Sequence, residues 1–179
     1  TLWAGGTYVP LGHGYPHGEL LSIITHRADL DAMVLDPGSV ALAEELEPAL
    51  PPHVLVGPKV EIDLPRARVT PWQSLAELGP ADPPAPLGPD HPAYILFTPD
   101  MATGEFRGII VSAASLAHFL MAMRALYQFG PKDRFAQFAD VSSDALNYEV
   151  FACLDGGGCV HVVPHQMLDM PAVFLKQRN

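Results

Sequence analysis

The segment with the clearest chemical meaning is the turn-rich stretch Thr98–Gly108, which lies between the apolar runs Tyr94–Phe97 and Gly108–Val111. Apolar runs on both sides of a turn-rich segment predict a strand, a loop and a strand. Such a frame is typical of loops that bind nucleotide phosphates through backbone N–H groups, hydroxyls and an ammonium group. Most residues that would supply these groups are missing here. The sequence therefore predicts the strand–loop–strand frame without most of its phosphate-binding groups.

Other patterns that carry chemistry are incomplete. In Gly12–Gly18 the third glycine of the dinucleotide-binding pattern comes one residue late and a proline interrupts it, which predicts a turn. The chain has neither the Lys-Ser/Thr pair of a P-loop nor the G-x-S-x-G elbow of a hydrolase. His161 and His165 lie around a strand end, and Cys153 and Cys159 fit no metal or redox spacing. We therefore expect no metal site and no catalytic residue.

Asp144 has two interpretations. It follows Ser142 and Ser143 and precedes a helical pattern, so Asp144 or a serine could cap the helix by accepting bonds from free backbone N–H groups. A carboxylate at this place could instead bind the amine of a ligand. Taken alone, the residue types favour the cap.

The composition is that of a folded protein with few basic residues. Of the 179 residues, 49% are hydrophobic and 17% are charged, which predicts a core rather than disorder. Ten Lys and Arg residues stand against twenty acids, and the net charge of −10 argues against nucleic acid and anionic membranes as partners. No run approaches the roughly 18 apolar residues of a membrane span. Two thiols in an apolar segment suit a reducing compartment, so we expect a cytoplasmic protein.

Helical and strand-like patterns alternate along the chain. A strand with both faces buried is predicted at Ala32–Leu35. Further strands are predicted at His53–Val56, Val60–Ile62, Ala67–Val69, Phe135–Ala139 and Cys159–Val163. Helices are predicted at Pro16–His26, Val40–Leu50, Trp72–Leu78, Asp144–Leu154 and Ser115–Tyr127, the last capped by Ser112 or Ser115. This alternation predicts an α/β fold with a mainly parallel sheet flanked by helices.

The domain organisation is predicted from one proline-rich segment. Residues 79–92 contain six prolines and two glycines, which indicates a linker or an extended surface loop. It separates a first α/β part, residues 1–78, from a second part, residues 93–179, that holds the phosphate-loop frame. The chain begins with Thr rather than Met and ends just after an apolar stretch, so we expect both ends to be cut from a longer protein.

Three blocks follow the motifs of one known family. Trp3–Leu11, followed by Gly14-Tyr-Pro16, is similar to the pattern K-A-G-G-A-Y-V-P-[IL]-D before a Y-P. Ala93–Ser112 is similar to A-Y-V-I-Y-T-S-G-S-T-G-x-P-K-G-V-x-V-S, and Asp133–Phe151 to D-R-V-L-Q…F-D-A-S-V-W-E-I-F. Together and in this order, they resemble the adenylation domains of nonribosomal peptide synthetases, in the adenylate-forming (ANL) superfamily. The resemblance implies a partial N-terminal core subdomain, because the family's later motifs have no counterpart.

The resemblance also assigns the remnants of a phosphate loop, which are Thr98, Thr103, Gly104, Arg107 and Gly108. Arg107 stands where the family has lysine. Pro99 lacks an N–H donor, and Asp100 and Glu105 place negative charge where the polyphosphate would lie. Two unit charges about 4 Å apart repel by roughly 4 kcal/mol at a surface-like dielectric. We therefore expect no ATP binding and no other cofactor. Asp144 matches the aspartate that pairs with the α-amino group of the substrate.

Three functional hypotheses follow. The first is a truncated, degenerate and non-catalytic adenylation-like domain, kept in a modular nonribosomal peptide or hybrid polyketide synthetase as a scaffold or contact surface. Its expected partners are carrier, condensation or inserted tailoring domains, or a second copy in a homodimer. The alternative is one part of a split or interrupted adenylation domain that activates an amino or related acid with ATP when other segments complete it. A third hypothesis is a small ligand held at Asp144.

Overall fold

The computed structural model of the chain describes residues 1–12, 14–79 and 82–177. These residues form two compact units, of which one combines Thr1–Gly12 with the chain from Ala85 onward. The other unit holds the residues between Gly12 and Ala85. The predicted division at residues 79–92 stays a prediction, and its residues Pro80 and Ala81 lie outside the described part of the chain, as does His13 of the glycine-rich turn.

The unit between Gly12 and Ala85 is a three-stranded parallel sheet in the order β1-β2-β3. Its strands are β1 (Ala32–Leu35), β2 (His53–Val56) and β3 (Arg68–Pro71). Its helices are α1 (His17–Ser22), which continues as a π-helical turn at Ile23–Arg27, and α2 (Val40–Glu45). Short 3₁₀ turns lie at Pro37–Ser39, Glu47–Ala49 and Trp72–Glu77. The core cluster of the unit consists of Leu35, Ala43, Val54, Val56 and Leu64.

Two sequence-based predictions for this unit are wrong. Strand β1 is not buried on both faces, because Leu35 lies in the core and Met33 packs against it, whereas Val34 is 68% exposed. β1 is an edge strand with one covered face, so its side chains alternate between core and solvent. The segment Val60–Ile62 is not a strand, although Val60 and Ile62 pack against the core. Apolar side chains can cover a sheet from a coil segment as well as from a strand.

The other unit is built around an antiparallel hairpin. Its strands are β4 (Pro92–Pro99) and β5 (Phe106–Ser112), and a second, parallel pair is formed by β6 (Arg134–Gln137) and β7 (Cys159–Val162). Its helices are α3 (Ala113–Tyr127), α4 (Asp144–Asn147), α5 (Cys153–Asp155) and α6 (Pro171–Gln177), with a π-helical turn at Tyr148–Ala152 that joins α4 to α5. Short 3₁₀ turns lie at Leu2–Ala4 and His165–Met167.

The hairpin strand β4 organises the core of this unit. Ala93, Tyr94 and Leu96 are buried together with Leu116 of α3. Tyr8 of the first sequence block lies beside β4 in a parallel bridge to Tyr94, and the Ile95 N–H donates to the Tyr8 carbonyl at 3.0 Å. The first and second blocks of the family pattern therefore meet at an isolated bridge beside β4.

The α/β fold class is confirmed, with two parallel sheets and helices that pack on them. Ser112 is confirmed as the cap of α3, since its hydroxyl oxygen accepts the Ser115 N–H at 3.2 Å. No helix in the described ranges is long and apolar enough to cross a membrane.

Candidate functional site

The phosphate-loop sequence forms the closed end of the β4–β5 hairpin. Thr98 pairs with Arg107 and Pro99 with Phe106, so residues 100–105 alone make the turn. The Asp100 N–H donates to the Glu105 carbonyl at 2.8 Å, and the Gly104 N–H donates to the Asp100 carbonyl at 2.7 Å. Gly104 has φ of 74°, a backbone conformation that favours glycine. The loop is therefore tight and held by its own backbone.

The Asp100 carboxylate fills the inside of this loop. Its Oδ1 accepts the N–H groups of Ala102 at 2.8 Å and Thr103 at 3.1 Å. Its Oδ2 lies 3.2 Å from the Arg107 Nε. The side chain of Asp100 is 22% exposed and that of Arg107 is 65% exposed, so the carboxylate sits deeper than the guanidinium. Two N–H donors and the cation of the loop thus face a carboxylate of the same chain.

The remaining loop residues have structural contacts of their own. The Thr103 hydroxyl accepts the Glu105 N–H at 3.3 Å. Gly108 lies opposite Phe97, and a Cβ built on it would stand 3.0 Å from the Phe97 ring. The structure therefore brings the predicted loop residues together, and an added Cβ at position 108 would be in tight contact with the Phe97 ring. Their assignment as remnants of a phosphate site stays a prediction.

Asp144 is the first residue of α4 and does not cap the helix. The cap is Ser143, whose hydroxyl oxygen accepts the Ala145 N–H at 3.2 Å. The Asp144 side chain is exposed. Of the two earlier interpretations, capping by the aspartate is wrong and capping by a serine is confirmed, while the role of Asp144 in amine binding stays a prediction.

Glu149 has a role that the sequence did not indicate. Its Oε2 accepts the N–H groups of Phe138 at 3.1 Å and Ala139 at 2.9 Å, directly after β6. Because carboxylates form strong bonds with backbone N–H groups, Glu149 fixes the chain between β6 and α4. Nothing local in the sequence links a helix glutamate to a segment ten residues earlier.

A buried polar contact joins Tyr8, Tyr94 and Asn147. The Tyr8 hydroxyl donates to the Asn147 Oδ1, and Asn147 is only 3% exposed. Burial raises the pKa of Tyr8 well above its ordinary value, and the neighbouring Tyr94 raises it further. Burial also raises the pKa of Tyr94, to which the Asp144 charge adds, while a bond to Asn147 opposes the rise. No motif in the sequence marks this cluster. Its only signal is that Tyr8 and Tyr94 lie in the first and second matched blocks.

Tyr148 stands where the family pattern has tryptophan, and it lies in an aromatic cluster. Its ring centroid is 6.2 Å from that of Phe119, 6.4 Å from Tyr127 and 6.1 Å from Phe135. Burial is the main cause that raises the pKa of Tyr148, and Tyr127 adds to it. This position therefore contributes to packing between α3, β6 and the π-helical turn.

Apolar side chains are exposed on β5 and α3. Ile109 and Ile110 point to opposite faces of β5 and are 51% and 63% exposed. On α3, Leu126 is 65% exposed. This helix carries apolar residues on all sides. Within the described ranges β5 pairs only with β4, so its outer edge is open. The described part of the chain holds no group of three His, Cys, Asp or Glu side chains positioned for a metal ion.

The fold and the hairpin define an α/β protein that carries a phosphate-loop sequence pattern. The chain belongs to the AMP-binding enzyme family, whose family model matches residues 1–178. The resemblance inferred from the three blocks is thereby confirmed.

Comparison with individual proteins gives the same result. The chain is 27% identical over 173 residues to syringomycin synthase SyrB1 of Pseudomonas syringae pv. syringae, covering 97% of this chain and 25% of that protein. It is 31% identical over 170 residues to the L-proline--[L-prolyl-carrier protein] ligase of Streptomyces coelicolor, covering 92% of this chain and 31% of that protein. The chain thus spans between a quarter and a third of these two relatives.

A solved structure shows the same fold. The adenylation domain AlmE of Vibrio cholerae, in complex with glycyl-adenosine-5'-phosphate, superposes with a TM-score of 0.78 at 22% sequence identity. The match covers 97% of this chain and 34% of that chain. At this identity the likeness concerns the fold alone.

Proposed function

We propose that this chain is a non-catalytic, adenylation-like part of a modular nonribosomal peptide or hybrid polyketide synthetase that serves as a scaffold and contact surface. By itself it is not an enzyme, and it acts in the cytoplasm. Two observations from the comparisons support the setting: the family match, and relatives named as nonribosomal peptide synthetases, of which the chain spans only a part. The observation that carries the contact role is the exposed apolar surface of β5 and α3.

That surface is unusual for a protein that works alone. A helix that is apolar on all sides is typical of one that is buried within a larger body. An open strand edge with apolar side chains on both faces is a site for pairing with another chain. We propose neighbouring carrier, condensation or inserted tailoring domains as the partners, because the relatives are several times longer than this chain.

The non-catalytic half of the proposal is tested by ATP–pyrophosphate exchange. The isolated chain is assayed with a panel of amino acids, and an active adenylation domain from a relative serves as the positive control. We expect no exchange above background, because Pro99 offers no N–H and two acids lie in the loop. Clear amino-acid-dependent exchange by the isolated chain would overturn the proposal.

The contact half is tested with a charge placed on the apolar surface. Ile110→Lys is compared with the matched control Val34→Lys, since Val34 is a similarly exposed apolar residue on a strand of the other unit. Each variant is mixed with the domains encoded next to this chain, and association is measured by sedimentation velocity. We expect Ile110→Lys alone to weaken association at least tenfold. Equal association of both variants would contradict the assignment, and self-association of the chain would identify a second copy as the occupant.

Two observations favour the alternative, a split adenylation domain completed by other segments. The loop keeps a cation at Arg107, and an exposed Asp144 begins α4 close to Tyr94. Under this alternative, co-expression with the flanking segments restores exchange, and Asp144→Ala removes it. Exchange that appears only after co-expression would replace the non-catalytic proposal with this one.

A further inference from the structure

We propose that Asp100 is an internal anion that occupies the phosphate loop, so that the loop is an anion site already filled by its own chain. This inference rests on the proposed absence of ATP binding and gives its cause. Removing the carboxylate is expected to uncover a site for inorganic pyrophosphate and related polyphosphates.

The contacts of Asp100 are those that a loop offers to an anion. Consecutive backbone N–H groups, of Ala102 and Thr103, converge on one carboxylate oxygen. Successive N–H groups in a turn form an anion-binding concavity. The Arg107 guanidinium lies on the second oxygen, as a cation would lie beside a bound phosphate. The carboxylate therefore satisfies the N–H donors and the positive charge together.

An external phosphate competes poorly with this arrangement. Asp100 is part of the loop, so its effective concentration at the site is in the millimolar range or above. A phosphate would have to displace the carboxylate and would then lie beside its negative charge. Glu105 adds a second charge, but among the described residues no loop N–H group donates to its side chain. Asp100 and not Glu105 is thus the residue that fills the site.

The position of Asp100 in the hairpin explains why it reaches inward. Its N–H and carbonyl both bond within the loop, to Glu105 and Gly104, so its backbone is fixed at the first position of the turn. From there a short side chain meets the N–H groups two and three residues later, as in an Asx turn. A longer acid at the same position would extend past them.

The test compares removal of the loop carboxylate that accepts backbone N–H groups with removal of the loop carboxylate that does not. Asp100→Gly and Asp100→Asn are titrated with inorganic pyrophosphate, and the amide signals of Ala102 and Thr103 are followed by NMR. Glu105→Gln is the matched control, since it removes one negative charge without removing the internal acceptor. We expect pyrophosphate to bind Asp100→Gly at least tenfold more tightly than it binds the wild-type chain or Glu105→Gln. Asp100→Asn, which keeps an oxygen acceptor, should fall between them.

A second measurement needs no ligand. In the unliganded wild-type chain, the amides of Ala102 and Thr103 should exchange with solvent several-fold more slowly than in Asp100→Gly. Equal amide exchange rates in the wild-type chain and Asp100→Gly would overturn the inference while leaving the proposed function intact. Equal pyrophosphate affinity in Asp100→Gly and Glu105→Gln would do the same. ATP–pyrophosphate exchange catalysed by the wild-type chain would instead overturn the proposed function.

Discussion

At the scale of single residues, the contact between Tyr8 and Asn147 has the clearest energetic consequence. The two residues are 139 positions apart in sequence, yet one donates to the other inside the core. Burial favours the neutral form of a tyrosine, which is why the pKa of Tyr8 and the pKa of Tyr94 are raised. Protonation of these hydroxyls is therefore linked to folding.

We expect the free energy of unfolding to fall as the pH rises above about 10, the ordinary pKa of tyrosine. Above that pH the unfolded chain releases protons that the folded chain retains, so unfolding becomes easier. Below it both states are protonated and Tyr8 contributes no pH dependence. In Tyr8→Phe the free energy of unfolding should fall less steeply above pH 10 than in the wild-type chain, by up to about 1.4 kcal/mol per pH unit. Urea unfolding from pH 8 to 11 measures both slopes, and parallel slopes would count against the linkage.

At the scale of elements, Gly108 is a position of close packing within the β4–β5 hairpin. The family pattern assigns the same glycine to a phosphate loop. Phe97 is only 3% exposed, and its ring lies against the Gly108 backbone. Ile95, two residues earlier on β4, lies 3.3 Å from the position of the same added Cβ. The glycine thus leaves room for the Phe97 ring between the strands, whatever the loop binds.

We expect Gly108→Ala to destabilise the chain by about 1–3 kcal/mol, because the buried Phe97 ring has little room to move. Gly130→Ala is the matched control, since no atom lies within 4 Å of its added Cβ. It should change stability by about 0.5 kcal/mol or less. Chemical denaturation compares the two variants, and an equal effect would show that Phe97 does not constrain position 108.

At the scale of the whole molecule, charge is distributed unevenly between the two units. The residues between Gly12 and Ala85 include eleven acidic and four basic side chains, a net charge of −7 of the total −10. Ion pairs in this unit include Arg27 with Glu19, at 3.5 Å. Like charges at this density repel one another and oppose the compact state.

We therefore expect the chain to gain stability as salt is added. Raising NaCl from about 0.01 M to about 0.15 M shortens the screening length from about 30 Å to about 8 Å, which weakens the repulsion. Thermal unfolding measures the effect, and Glu44→Gln, which removes one exposed acid, should reduce it. A decrease in stability with salt would mean that attractive ion pairs outweigh the repulsion.

Local signals in the sequence determined much of the structure. The apolar period placed α3 and most strands, and Ser112 was identified as a candidate cap, because helix periodicity and N-terminal capping act over a few neighbouring residues. The order of three blocks determined the family. The signal for Val60–Ile62 failed because an apolar run does not specify whether it is a strand or a coil that covers a core.

Tertiary structure alone decided which distant groups meet. It placed Val34 in solvent, brought Tyr8 to Asn147 and bound Glu149 to the chain after β6. It also turned the carboxylate of Asp100 into the hairpin, onto the N–H groups of Ala102 and Thr103 and onto Arg107. The family resemblance assigns Thr103 and Arg107 to the phosphate loop. The sequence by itself showed that the loop had acquired negative charge. Only the fold could show where that charge lies, because the direction of a side chain depends on strand register and on the closure of the turn.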